Sequence, residues 1–251
     1  MDLSSQALTE AGGPAIGAII PAQPGQRRVE TDASGALVTA QGYDPLPQPN
    51  RVERRGVEVA GGLILAFEGL PDETEADALL ATLAGHEVTA AFFLDLPTLL
   101  QGGTVAAGLS EAGHVLGLRL LPPVHNRPES LIVARIQLNF MQLYLSQVIA
   151  RPAQLALLRP GAGPPHFSRD AFLAETDLLR AGLVPIRSSF DALLGPLEDE
   201  EFIARIGREG SFDQTQVITL DLRESGPDQI AALSGMLSRL IEDGYRFLDP
   251  A

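Results

Sequence analysis

The stretch Gly62-Leu63-Ile64-Leu65-Ala66-Phe67-Glu68-Gly69-Leu70-Pro71 decides the fold. Leu63 to Phe67 are apolar without interruption, Glu68 ends the run with a single carboxylate, and Gly69 and Pro71 break it into a turn. A short apolar run bounded by turn residues fits a strand covered on both faces, the usual state of a strand inside a parallel sheet. Such sheets carry their chemistry at the C-terminal strand ends. Glu68 is therefore the first candidate functional residue.

Outward from this strand, the pattern alternates between strands and helices. A helix is predicted from about Asp72 to Leu83, with Asp72 or Thr74 as cap, then a strand from Val88 to Leu94. A poor helix interrupted by Gly102-Gly103 leads to a strand from His114 to Leu121. The longest helix, about Ser130 to Ile149, has Ile132, Ile136, Phe140 and Leu143 on one face and Leu138, Met141, Leu145 and Val148 beside it. So broad an apolar surface is expected to pack on two neighbours. Strands follow at Leu155–Arg159, Leu183–Ser188, Gln216–Leu222 and Tyr245–Leu248, with Pro185 marking an edge or irregular position. Helices are predicted from Ser168 to Ala181, from Asp199 to Arg208 and from Pro227 to Glu242. The expectation is an α/β fold, a distorted seven-stranded (β/α) barrel over residues 57–251. Residues 1–56, rich in Gly, Pro, Ala and Gln, read as a largely irregular linker with one short edge strand or ribbon at Ala36–Ala40.

Composition sets limits. The 251 residues, 45% of them hydrophobic, suffice for one barrel-sized domain and a tail. With 32 acids against 18 bases the net charge is −14, a field that repels nucleic acid and anionic lipid. No run of about 18 apolar residues is present to span a bilayer. The absence of cysteine removes disulfides, thiolate metal sites and cysteine nucleophiles together. No basic and apolar leader with a cleavage site is visible at the N-terminus, so either the chain stays in the cytoplasm or it is a piece of a longer protein. Ser188 and Ser189 lack nucleophile-elbow spacing, and Gly161-x-Gly163 lacks the third glycine of a phosphate cradle.

Several frames carry a family resemblance. Ala66-Phe67-Glu68-Gly69-Leu70-Pro71 resembles the Thr-Phe-Asp-Asp-Gly-Pro motif of the polysaccharide deacetylase family, the NodB-homology or carbohydrate esterase family 4 domains. Val88-Thr89-Ala90-Ala91-Phe92-Phe93 resembles its second strand, and Glu111-Ala112-Gly113-His114-Val115-Leu116-Gly117 its Glu-x-Gly-His-Glu-Ile-Gly. Arg159-Pro160-Gly161-Ala162-Gly163 resembles its Arg-Pro-Pro-Tyr-Gly loop, and Asp243-Gly244-Tyr245-Arg246-Phe247 its closing strand. The tail segment Ala33 to Ala40 is similar to one that precedes the deacetylase domain in envelope proteins fused to a membrane glycosyltransferase.

The resemblance implies a metal-dependent hydrolase that removes N-acetyl groups from an envelope polysaccharide, with one Asp and two His on a divalent ion such as zinc. It places the base on Glu68 and the orienting arginine on Arg159. The metal Asp falls on Gly69, the two metal histidines on Arg119 and Pro123, and the acid histidine on Asp221. His125 lies two residues past Pro123, where a register slip would make it a ligand, and His166 follows the Arg159 loop toward the same mouth. Glycine and proline offer no side-chain donor, and a guanidinium about 4 Å from a divalent ion is repelled by roughly 8 kcal/mol at an effective dielectric of 20. The expectation is therefore no metal, and either Arg119 occupies the vacated volume and neutralises Glu68, Asp221 or both, or these side chains stand apart and solvated. A catalytically inactive domain follows, binding a polysaccharide or oligosaccharide or holding a partner such as a fused or associated glycosyltransferase. An active deacetylase with an altered metal site is the alternative, and a purely structural module a third reading. The family implies periplasm or cell envelope.

Overall fold

The computed structural model describes residues 18–35, 38–46, 48, 51–53, 59–119, 128–158, 177–193, 204, 206, 215–222 and 227–250. Two small antiparallel pairs precede the barrel: β1 (Ala18–Ile20) with β4 (Arg51–Glu53), and β2 (Arg27–Thr31) with β3 (Val38–Tyr43). β3 covers the described part of the predicted ribbon at Ala36–Ala40 and runs on to Tyr43, inside a tail that holds more strand than its composition suggests. The β2 side chains are all exposed. A two-stranded ribbon in water satisfies its backbone by pairing and needs no apolar signature.

The quoted stretch is β5 (Gly62–Glu68), buried at every position. The other strands of its sheet are β6 (Ala90–Leu94), β7 (Val115–Arg119), β8 (Leu155–Leu158), β9 (Val184–Arg187), β10 (Phe190–Leu193) and β11 (Gln216–Asp221), all paired in parallel in the order β10-β11-β5-β6-β7-β8-β9. β12 (Arg246–Phe247) pairs with the start of β5. The helices are α1 (Glu73–Gly85), α2 (Leu96–Gln101), α3 (Gly103–Glu111), α4 (Pro128–Val148) and α5 (Pro227–Glu242). This is the curled, mostly parallel β/α barrel that the alternation implies.

The sheet's two rims are consecutive in the chain, since only Ser188 and Ser189 separate β9 from β10. The predicted strand Leu183–Ser188 is β9, and β10 just beyond it was not predicted. β9 pairs with β8, including Pro185 opposite Ala156, and the chain then bends so that β10 pairs with β11. Ser189 fixes the bend: its N–H donates to Val217 O at 2.8 Å, and its Oγ accepts from Val217 N–H at 3.2 Å. One bent segment therefore brings the sheet round on itself.

Alternation along the strands separates two cores. Leu63, Leu65 and Phe67 face the helices, where Phe67 stacks on Phe92 with ring centroids 4.9 Å apart. Ile64, Ala66, Ala91, Phe93, Leu155 and Val217 fill the lumen. Gly117 makes room there: a Cβ at this position would lie 2.5 Å from the Phe93 ring.

α4 packs on two neighbours, α2 and α3, as its breadth implies, but only one of its apolar faces is covered among the described residues. Leu138, Met141 and Leu145 are buried, whereas Ile132, Ile136, Phe140 and Leu143 stand exposed. Of the predicted helix Ser168–Ala181, only residues 177–180 are described as helical, and of Asp199–Arg208 only positions 204 and 206.

Candidate functional site

Strand parity builds the site. Glu68 follows Ile64 and Ala66 on the lumen side of β5, Arg119 follows Gly117 on β7, and Asp221 follows Val217 and Thr219 on β11. All three end their strands, so three polar groups meet at one mouth. Asp221 stands directly across from Glu68 in the β11–β5 register.

The centre of the mouth is Arg119. Its Nε lies 2.7 Å from Glu68 Oε2, with both side chains only 4% exposed. That approach is close but oblique, an ion-pair contact rather than an aligned hydrogen bond. Its Nη1 donates to Asp95 Oδ2 at 3.1 Å. Two carboxylates on adjacent strand ends thus share one guanidinium, the fork geometry that makes buried arginine tolerable.

Asp95 was not singled out from the sequence, and it joins Glu68 on Arg119. Its local role explains its rotamer. As N-cap of α2 it accepts the Thr98 N–H on Oδ1 at 3.0 Å and the Thr98 hydroxyl at 2.7 Å, which leaves Oδ2 turned toward Arg119. The signal was present: an acid straight after an apolar strand, followed by Leu-Pro-Thr at helix-start spacing.

Gly69 closes β5 with φ of +89°, and its N–H donates to Phe93 O at 3.0 Å. A side chain there would have to adopt the left-handed region that favours glycine. Arg159, Pro123, His125 and His166 lie outside the described residues. His114 is structural: its Nδ1 accepts the Ala90 N–H at 3.3 Å, its ring meets Phe92 edge-on, and burial pushes its pKa down.

The described residues of the mouth do not fit a divalent cation. Gly69 brings no donor, a buried positive group lies between the two nearest carboxylates, and no cluster of three acids or histidines converges among the described residues.

No family sequence model matches the chain, nor does any curated protein. Solved structures do. A peptidoglycan N-acetylglucosamine deacetylase aligns with a TM-score of 0.59 at 19% identity, over 77% of this chain and 88% of that one. A carbohydrate esterase family 4 pseudoenzyme from Bacillus anthracis aligns with a TM-score of 0.57 at 17% identity, over 77% of this chain and 65% of its own. The chain has the carbohydrate esterase family 4 fold. Another deacetylase domain of this fold, from Eubacterium rectale, aligns with a TM-score of 0.57 at 16% identity, covering 76% of this chain and 89% of that one. The family 4 fold thus houses enzymes and a pseudoenzyme alike, and a mutant of that pseudoenzyme has restored activity. No helix among the described residues is long and apolar enough to cross a membrane.

Proposed function

We propose that this domain is a non-catalytic member of the deacetylase fold that binds a glycan at the strand-end mouth, within envelope polysaccharide metabolism. The observation that carries the reading is Arg119, buried between Glu68 and Asp95 where the motif frames would put a metal histidine. A carboxylate engaged by a guanidinium is a poor base, because removing a proton from water would break its ion pair. Charged and hydrogen-bonding groups around a concave mouth still suit sugar hydroxyls and amides. The ligand class we assign is a polymer containing N-acetylglucosamine, on which the peptidoglycan deacetylases of this fold act. A glycosyltransferase, fused or associated, would supply such a chain.

The test combines two measurements on the purified protein with N-acetylglucosamine oligomers. With zinc supplied, acetate release is expected to stay at the no-protein rate, while the oligomers raise the melting temperature by mass action. Acetate release together with stoichiometric zinc overturns the reading.

A further inference from the structure

We infer that the sugar unit held at the mouth is de-N-acetylated, its ammonium group seated between Glu68 and Asp221 above the Thr219 hydroxyl. This rests on the glycan-binding reading of the site and names the unit that the site selects. The mouth is uneven in charge. Along the sheet the strands run β11, β5, β6, β7, so Asp221 lies on one side of Glu68 and Arg119 on the other. Arg119 turns Nε to Glu68 and Nη1 to Asp95 and is only 4% exposed, which engages its charge within the wall. Asp221 pairs with Glu68 in the register, and such neighbours project to the same face from backbones about 4.8 Å apart. Two carboxylates at one strand spacing can both accept from a single ammonium.

A second observation lies one layer deeper. Thr219 precedes Asp221 by two residues and so faces the lumen with it, across from Ala66 on β5. It is 2% exposed, and its Oγ1 has no hydrogen-bond partner among the described residues. A buried hydroxyl left without a partner costs stability, and a donor brought in through the mouth removes that cost. An ammonium carries three N–H donors, one each for Glu68, Asp221 and Thr219. An acetamide carries one N–H and no charge, so it gains little from a negative field. Among the described residues three carboxylates stand at the mouth against one guanidinium, and Arg159, counted in where the resemblance places it, leaves the sum negative. A free amine on this polymer is the product of amide hydrolysis, so the reaction that supplies the ligand is a deacetylation carried out by another protein.

Calorimetric titration of the full chain with the glucosamine tetramer and, separately, with the N-acetylglucosamine tetramer tests this. Both are expected to bind, the glucosamine tetramer about tenfold or more tighter. Asp221→Asn is expected to erase that advantage and to leave the affinity for the acetylated tetramer in place. Glu242→Gln removes the same charge from the exposed end of α5 that leads into β12, at the base of the barrel, and is expected to keep the advantage. Should Asp221→Asn fail to fold, Thr219→Val serves: it is expected to weaken the glucosamine tetramer with no fall in melting temperature, since the hydroxyl it removes makes no bond in the folded chain. Equal affinities, tighter binding of the acetylated tetramer, or an advantage that Glu242→Gln reduces as much as Asp221→Asn overturns the inference and leaves the glycan-binding reading standing. Binding of neither tetramer overturns both.

Discussion

Removing one partner from a buried charge triplet costs more than the triplet itself contributes, because the remaining charges stay buried and uncompensated. Arg119→Ala removes the guanidinium that Glu68 and Asp95 both contact, and we expect a loss of about 3–5 kcal/mol in urea unfolding. The two helix caps give a sharper contrast. Asp95→Ala removes a side-chain cap and an arginine partner together, so it should cost clearly more than the typical ~1 kcal/mol of a cap. Asp72→Ala at α1 should be close to neutral by the same assay, since the Asp72 side chain makes no cap hydrogen bond. His114 yields a pH prediction. Burial holds its pKa below the ordinary 6.5, so the unfolded chain takes up the proton first. Its contribution is therefore complete above that value and is lost as pH falls below it. Melting temperature should drop on acidification through this window, and His114→Asn, whose side-chain oxygen can accept the Ala90 N–H, should flatten that component.

At the scale of elements, Gly117→Ala tests how tightly β7 is fitted. The added methyl group would meet two Phe93 ring carbons at 2.5 and 2.7 Å and the Leu155 carbonyl at 3.0 Å, all in a packed lumen. We expect a loss of about 1–3 kcal/mol by chemical denaturation, the usual cost of overpacking. The barrel strands were legible because burial on both faces leaves nearly continuous apolar runs, as in β5 and β6. Strand β10 was not. Phe190-Asp191-Ala192-Leu193 alternates over only four residues and follows β9 with no glycine or proline to mark a new element. The site was legible in part. Glu68 follows from the strand it ends and Arg119 and Asp221 from the family resemblance, whereas Asp95 sits one residue beyond its strand and reads first as a helix cap. For α4 the sequence shows both apolar faces, but which one meets the barrel is decided by how the helix lies on the sheet.

For the whole molecule, a net charge of −14 means the folded state works against its own repulsion. Moderate salt should therefore raise the melting temperature, most steeply between low and physiological ionic strength, as the Debye length shortens to about 8 Å. Prolonged treatment with a chelator should leave that temperature unchanged, since Arg119 supplies the positive charge at the mouth. The bend at Ser188-Ser189 has its own consequence. An open parallel sheet ends in two strands whose free N–H and C=O groups can recruit a foreign strand and seed fibres. Here the two end strands are halves of one bent segment, so a foreign strand cannot draw either rim out of the sheet without loosening the Ser189–Val217 bonds that hold the corner.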